Sequence, residues 1–305
     1  MKRRDFITKT AAGSALVLGG VGLQSFNEPE IKTLTILHTN DVHSHIDPFP
    51  VDDPKYPNQG GAARRAALIQ QIRAEQGEDG VLLLDAGDVF QGTPYFNYYG
   101  GELEMKLMSM MKYDIATMGN HDFDNGIDGF LKQLPHASFP FISANYDFKN
   151  TVLNGIVEPY KIFTRRGIKI GIFGLGVELN GLVDKKLYKE TGYLNPVEIA
   201  QDMSRILKVE QKCDVVICLS HLGFIYANDN QKVSDIVLAR TTKNIDLIIG
   251  GHTHTFLTKP YLEKNIDGQE VMINQVGCYG LNLGRIDFTF QQGKKSSAGR
   301  LMKVE

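Results

Sequence analysis

The feature that most constrains the fold of this chain is a pattern that occurs five times, in which a hydrophobic run stops abruptly at a cluster of Asp, Asn, His and Gly. The runs have the length and composition of buried strands, and a turn by itself needs only Gly, Asn or Asp. The histidines therefore exceed what a turn requires. The runs are residues 33–38, 81–84, 114–118, 214–219 and 245–249, and they lead into TNDVHSH, DAGDVFQG, GNHDFD, SHLG and GGHTHT.

Helices are expected between these strands, for example at residues 62–75 and 102–111. Strands that alternate with helices indicate an α/β architecture with substantial parallel pairing. Functional groups in such folds gather beyond the carboxyl ends of the strands. Further strands are expected at residues 141–145, 169–175, 271–276 and 285–290, which raises the number of strands enough to indicate more than one sheet.

The composition is that of a globular protein with one large α/β domain, because 42% of the 305 residues are hydrophobic and 22% are charged. The formal net charge of −2 gives no basic surface for nucleic acid. Cys213, Cys218 and Cys278 lack a paired metal-binding spacing. Cys213 and Cys218 flank a hydrophobic run and are expected to be small buried residues, with one disulfide as the alternative.

The first 25 residues are expected to be an export signal. Arg3 and Arg4 precede DFITK and a short apolar run, a pattern that resembles a twin-arginine signal. The run is too short and too rich in Gly to indicate a stable membrane span. An ordinary basic N-terminus and an uncleaved anchor are the alternatives. The sequence thus predicts a periplasmic or other extracytoplasmic location.

The residues after the signal are expected to form one domain at 30–295 and a polar tail at 296–305 that frays. The segment YFNYY at residues 95–99 is expected to pack in the interior, the alternative being that it shapes a substrate entrance.

Most of the histidines follow a hydrophobic run directly, together with two aspartates and one asparagine. Imidazole and carboxylate groups together suit divalent metals such as zinc, manganese or iron, and one carboxylate can bridge two ions. Each block alone also fits a turn, a helix cap or a hydrogen-bonded loop, but five blocks after five strands favour a metal site. The residues are Asp41, His43, Asp88, Asn120, His121, His221, His252 and His254.

The order of these blocks resembles the calcineurin-like metallophosphoesterase superfamily. Its Asp-x-His, Gly-Asp, Gly-Asn-His-Asp, His and Gly-His-x-His blocks are all present between residues 33 and 256. More narrowly, LHTNDVHSH, GDVFQGTP and GNHDFDNG are similar to the catalytic N-terminal domain of the bacterial 5′-nucleotidase and UDP-sugar hydrolase family. The resemblance implies a four-layer α-β-β-α sandwich of two mixed sheets, with the metals at one sheet edge.

The resemblance also implies two divalent metal ions, either zinc, manganese or another transition metal. Carried over block by block, it places Asp41, His43 and His254 on the first ion. It places Asn120, His221 and His252 on the second ion, with Asp88 bridging both. Some family members have Gln at the position of His254, so the first site here is the more nitrogen-rich version. Two such ions would acidify a shared water and offset the charge of a phosphate.

His121 is implied as the catalytic histidine that assists the leaving group. Asp124 would orient its ring and favour the protonated form. We expect Asp122 to support the loop or a neighbouring ligand, and His38, His45 and His136 to lie outside the ligand set.

The expected function is hydrolysis of phosphate monoesters, foremost nucleoside 5′-phosphates, by an exported metal-dependent enzyme. The alternatives are a cyclic-nucleotide or nucleotide-sugar phosphodiesterase on the same site, and a metal-binding subunit without turnover. Nucleotide-hydrolysing family members commonly carry a second, carboxyl-terminal domain that grips the nucleoside, and the residues after GGHTHT are expected to be closing strands and a tail. We therefore expect either broad specificity with weak binding, or a separate polypeptide that supplies the nucleoside pocket.

Overall fold

Fourteen strands and seven α-helices are formed by residues 31–229 and 232–305, the part of the chain that the computed structural model describes. The signal segment predicted at residues 1–25 lies outside these ranges. The strands are β1 (Lys32–Thr39), β2 (Val81–Asp85), β3 (Ile115–Thr117), β4 (Phe141–Ile142), β5 (Tyr146–Asp147), β6 (Tyr160–Arg165), β7 (Ile168–Gly176), β8 (Gly192–Tyr193), β9 (Val215–His221), β10 (Leu247–Gly250), β11 (Tyr261–Lys264), β12 (Glu270–Asn274), β13 (Asn282–Gln291) and β14 (Lys294–Lys303). The helices are α1 (Ala62–Gln76), α2 (Pro94–Tyr99), α3 (Glu102–Met110), α4 (Gly126–Gln133), α5 (Lys185–Tyr188), α6 (Pro196–Arg205) and α7 (Asp235–Thr241).

The strands form two large sheets. The first has the order β14-β13-β1-β2-β3-β4. Strands β1 to β4 are parallel to one another, and β13 pairs antiparallel with both β1 and β14. The second has the order β11-β12-β10-β9-β7-β6, with four parallel strands at its centre and an antiparallel strand at each edge. Strands β5 and β8 form a small antiparallel pair. Both large sheets are mixed, as predicted.

Three buried hydrophobic clusters separate four layers. In β2, Leu82 and Leu84 join the cluster between the two sheets, whereas Leu83 joins the cluster beneath α1, α3 and α4. In β9, Ile217 lies between the sheets and Val216 joins the cluster beneath α6 and α7. Alternate residues of a strand face opposite sides of the sheet, so a strand buried on both faces needs a continuous hydrophobic run. The four-layer sandwich is therefore confirmed.

The parallel strands of both sheets deliver their carboxyl ends to one edge of the sandwich. In the first sheet β1, β2 and β3 end there, and in the second sheet β9 and β10 do so. The peptide groups of the loops also join across this edge, since the Asp41 amide donates to the Gly87 carbonyl at 2.9 Å. The five polar clusters of the sequence are thereby brought to one place.

The prediction of a polar tail at residues 296–305 is wrong, because most of these residues belong to strand β14. Gln292 and Gly293, with φ of 51° and 74°, form a two-residue turn that folds β14 back along the whole of β13. Its side chains are polar because β14 is an exposed edge strand, where lysines also discourage pairing with other chains. Beyond it, the buried Val304 donates its amide to the Leu281 carbonyl at 2.9 Å and accepts from the Gly60 amide at 2.8 Å.

All nine predicted strands have a counterpart, and those that the sequence did not predict are short or largely exposed. Two of these, β5 and β8, have two residues each, and β6 and β11 lack a buried hydrophobic pattern. Cys213 and Cys218 are free and buried, as predicted, and Cys278 is free and buried as well. Interior packing of residues 95–99 holds for Phe96 alone, because Tyr98 is 82% exposed. None of the helices within the described ranges combines the length and hydropathy needed to cross a bilayer.

Candidate metal centre

Six of the predicted ligands form two sets at the common edge of the sheets. Asp41, His43 and His254 make up one set, and Asp88, His221 and His252 make up the other. In each set the potential ligand atoms lie within 4.8 Å of one another. Each set also takes residues from both sheets, since the histidines at 221, 252 and 254 follow β9 and β10.

Asp88 lies between the two sets. Its Oδ2 is 3.1 Å from His221 Nε2 in one set and 3.8 Å from His43 Nε2 in the other. The seventh predicted ligand, Asn120, places its Oδ1 2.9 Å from His252 Nδ1, next to the second set. The geometry thus brings all seven predicted ligands together and puts the carboxylate predicted to bridge in the middle.

The hydrogen bonds of the histidines show that this donor set fits cations. His221 Nδ1 is 2.7 Å from the Ala86 carbonyl, and because a carbonyl only accepts, Nδ1 carries the hydrogen. The buried Nε2 makes no hydrogen bond within the described part of the chain and faces the Asp88 carboxylate. Likewise, His43 Nδ1 faces the Phe90 carbonyl at 3.3 Å, and its Nε2 is 3.0 Å from His254 Nε2. Lone pairs that converge on carboxylates in this way are the ligands of a divalent metal.

The carboxylates of the site set the protonation of its histidines. Burial alone would lower the pKa of His221, but the Asp88 carboxylate more than offsets this and raises it to about 10. The hydrogen bond to Asp41 raises the pKa of His254 to about 10. Burial lowers the pKa of His252 to about 4. Metal binding would displace protons from the ligands.

Positive φ values are concentrated in the ligand loops. Five of the ligand residues have φ between 50° and 71°, a left-handed backbone conformation that residues other than Gly adopt infrequently. They are Asp41, His43, Asp88, His252 and His254. Each such residue costs on the order of 1–3 kcal/mol, and these residues cluster at functional sites. The strain turns neighbouring side chains of one short loop toward the same point.

The close approach of two loops explains one glycine of the GNHD block. A Cβ on Gly119 would lie 2.2 Å from Asp88 Oδ1, inside contact distance. Asp122, which was expected to support the loop, is buried and accepts from the Asp88 amide at 3.0 Å and from the Gly119 amide at 2.8 Å. It therefore ties the loop after β2 to the loop after β3.

Two supporting residues were not predicted. Asn40 donates to Asp41 Oδ2 and to the Gly277 carbonyl, both at 2.6 Å, and so connects the first ligand loop to the loop after β12. Tyr279 donates its amide to the Asp41 carbonyl at 2.7 Å, and its ring centroid is 5.9 Å from that of His254. The run that ends in GCYG after β12 repeats the strand-then-cluster pattern, which is the signal that could have identified Tyr279.

The predicted catalytic pair lies beside the ligands. His121 Nδ1 is 2.8 Å from Asp124 Oδ2, and the His121 ring centroid is 5.2 Å from that of His43. The His121 side chain is 37% exposed, so substrate can reach it. The hydrogen bond to Asp124 raises the pKa of His121, and this outweighs the opposite effect of burial.

The three histidines expected to lie outside the ligand set do so. His38 is buried in β1 and its Nε2 accepts from Asn274 Nδ2 at 2.8 Å. His136 is 3.9 Å from a carboxylate oxygen of Glu102. His45 stacks against Phe49, with 4.9 Å between the ring centroids, and belongs to neither ligand set.

Comparisons with known proteins identify the family of this chain. The family model described as calcineurin-like phosphoesterase matches residues 34–256. Snake venom 5′-nucleotidase of Crotalus adamanteus is 36% identical over 278 residues, which cover 84% of this chain and 45% of that protein. The trifunctional nucleotide phosphoesterase protein YfkN of Bacillus subtilis is 33% identical over 291 residues, which cover 85% of this chain and 18% of that protein.

The fold is also similar to a solved structure. The 5′-nucleotidase precursor from Thermus thermophilus superposes with a TM-score of 0.79 and 32% sequence identity, covering 89% of this chain and 54% of that chain. The chain thus spans about half the length of that protein and of the snake venom enzyme, and a smaller share of YfkN. The matched segment contains every predicted ligand and both members of the His121–Asp124 pair, and the chain belongs to the calcineurin-like phosphoesterase family.

Proposed function

We propose that this chain is a dinuclear metal-dependent phosphoesterase that hydrolyses phosphate monoesters, foremost nucleoside 5′-phosphates. The observation that carries the proposal is the position of Asp88 between two ligand sets, with the His121–Asp124 pair at their side. Calcineurin-like 5′-nucleotidases use two divalent metals, and the relatives named 5′-nucleotidase support the substrate class.

The ligands and the loops that hold them have separate tasks. Asp41, His43 and His254 would hold one divalent ion, and Asn120, His221 and His252 the other, with Asp88 shared between them. The bound ions would supply Lewis acidity, which lowers the pKa of water and offsets the negative charge of the phosphate. The buried, hydrogen-bonded loops would keep the ligands in place with little reorganisation.

His121 would act at the leaving group. Water adds to phosphorus, the bond between phosphorus and the ester oxygen breaks, and the ester oxygen takes the proton of His121 to leave as an alcohol. The protons of the water leave with the phosphate, and His121 regains a proton from solvent. Asp124 holds the other ring nitrogen and favours the protonated ring, which must be present before each turnover. A non-catalytic metal-binding subunit would have no use for this pair.

An assay of the purified chain tests the proposal. AMP, a cyclic nucleotide and an aryl phosphate are each incubated with and without manganese or zinc, and released phosphate or alcohol is measured. We expect metal-dependent hydrolysis of AMP and of the aryl phosphate. Turnover of the cyclic nucleotide alone would favour a phosphodiesterase, and no turnover with full metal occupancy would favour the binding subunit.

Export by the twin-arginine route is a separate proposal, supported by Arg3 and Arg4 ahead of the short apolar run. Replacing both arginines by lysine keeps the positive charge and should retain the protein in the cytoplasm, where fractionation and immunoblotting would detect it. Equal export of the lysine variant would contradict the proposal.

A separate polypeptide that supplies a nucleoside pocket stays a prediction. Tight, base-selective hydrolysis by the chain alone would contradict both this prediction and the expectation of broad specificity.

A further inference from the structure

A group of aromatic rings lies beside the first ligand set, partly on the ligand loops themselves and partly on neighbouring segments. We define this aromatic wall by His45, Phe49, Tyr56, Phe256 and Tyr279. The rings form a continuous series: His45 lies 4.9 Å from Phe49 and 4.4 Å from Tyr279, and Tyr56 lies 5.3 Å from Phe49, measured between centroids. Phe256 extends the series, with its centroid 6.5 Å from that of Tyr56.

The wall adjoins the metal ligands. The centroid of Tyr279 is 6.0 Å from that of His43 and 5.9 Å from that of His254. The amide of Tyr279 is bonded to the Asp41 carbonyl, so the ring is fixed relative to the first ligand loop. A group joined to a phosphate at the metal centre through one sugar is within reach of these rings.

Neighbouring segments hold the rings of the wall in fixed positions. Tyr279 has φ of 61°, a strained conformation for a residue with a large side chain. Phe256 occupies the space over Gly277, where a Cβ would lie 2.2 Å from its ring. Val304 bonds both Gly60 and Leu281, and so fixes the two segments that carry most of the rings against each other.

The wall is also open to solvent. Phe256 is 44% exposed, and the other four rings are half-buried. Lys55, an exposed side chain, places its Nζ 5.0 Å from the centroid of Tyr56. Interior packing would give buried rings, whereas a surface that receives a flat apolar group requires rings that are held in place and still accessible.

We infer that the aromatic wall is a stacking site for the planar aromatic part of the leaving nucleoside, the nucleobase of a nucleoside 5′-phosphate. The inference rests on the proposed function and gives the catalytic domain a means of base recognition within this chain. Stacking on aromatic side chains tolerates any base because every base has a π-face. It therefore distinguishes nucleotides from simple phosphate esters but does not select one base strongly.

The test compares AMP with ribose 5-phosphate, which have the same ester bond and the same leaving oxygen and differ only in the base. We expect a higher kcat/KM for AMP. In Tyr56→Ala and Phe256→Ala, the ratio of the two kcat/KM values should fall by about fivefold to a hundredfold, the range for loss of a base stack, chiefly through the KM for AMP. Tyr56→Phe keeps the ring and should keep the ratio.

Tyr98→Ala is the matched control, because Tyr98 is a more exposed aromatic residue whose ring pairs with Tyr99 and not with the wall. Its ratio should equal that of the unchanged protein. A ratio that stays constant in Tyr56→Ala, Phe256→Ala and their double variant would overturn the inference.

Adenosine binding, measured by titration calorimetry, separates failure of the inference from failure of the proposed function. If neither phosphate ester is hydrolysed but adenosine binds and the binding is lost in Tyr56→Ala, the stacking site stands and the proposed reaction does not. Hydrolysis of AMP and ribose 5-phosphate at equal efficiency, with no adenosine binding, would leave the proposed reaction intact and refute the wall.

Discussion

The two flanks of the metal centre differ in chemistry and in how they are held. On one flank, His121 and Asp124 form a polar pair on a single turn, three residues apart, with one hydrogen bond between them. On the other flank, the aromatic wall gathers rings from three separate segments and contains no acidic group. The polar flank holds a histidine whose pKa is raised by a carboxylate, whereas burial lowers the pKa of His45 in the wall to about 4, so that its ring is neutral at pH 7. The difference divides reaction from recognition within one domain, so variants should affect the two flanks separately.

The largest effect should come from a change at Asp88, because both flanks act on a phosphate that the metal ions hold. Asp88→Asn takes charge from the carboxylate between the two ligand sets and should empty both sites and abolish turnover. His254→Ala should weaken mainly the first site, since His254 contacts only that set. Metal analysis of the two purified variants distinguishes them, and full occupancy in Asp88→Asn would contradict the bridging role.

The next effect should be confined to the polar flank. His121→Ala should leave the metal content largely intact and lower turnover by about 10²–10⁴-fold, the usual range for general acid catalysis. The loss should shrink for esters with acidic leaving groups, which need no proton. His136→Ala, which removes a histidine outside the site, is the control. A uniform loss across leaving groups would mean that His121 has another role.

A smaller effect should come from Asp122, which holds the loop that carries Asp88 against the loop that leads to the polar flank. Asp122→Asn retains the size of the side chain but weakens its bonds to the amides of Asp88 and Gly119. Metal affinity should fall by about 10–100-fold, the range for residues that orient ligands, and excess metal should restore turnover. Asp128→Asn, an exposed carboxylate on α4, should change neither quantity.

The smallest effect on turnover at neutral pH is expected from a histidine that belongs to neither flank. Burial lowers the pKa of His38 to about 3, so between that value and about 6.5 the unfolded chain binds a proton that the folded chain does not. The stabilisation present above pH 6.5 is therefore lost as the pH falls, by about 1.4 kcal/mol per pH unit in this window. His38→Gln should remove this part of the acid sensitivity, as urea unfolding at several pH values would show.

The sequence predicted the parts of the site that follow strand ends. Buried parallel strands need continuous hydrophobic runs, so β1, β2, β9 and β10 were evident, and the surplus of ligand residues after them identified the edge of the sheet. His121 and Asp124 are close in sequence, and their pairing could be anticipated from spacing and resemblance.

The remainder depended on contacts between distant segments. Nothing local in residues 45–56 indicates that Phe49 and Tyr56 meet Tyr279, because the contact exists only once the two sheets are packed. The exposed strand β14 was missed for a related reason: an edge strand buries little, so its sequence resembles that of a tail. Sequence patterns record burial well and long-range proximity poorly.

The hydrogen bonds of Val304 have a consequence for the time course of folding. They join Gly60 to Leu281, residues separated by most of the chain, and they need β14 to be paired first. The sheets and the ligand loops also join distant segments, such as those of His43 and His254, but they do not need these bonds, so Val304 adds a step that follows the pairing of β13 and β14. During refolding, the sheets and their ligand loops should therefore assemble ahead of the aromatic wall. Metal binding should return before adenosine binding, with a lag between the two that stopped-flow measurements can resolve.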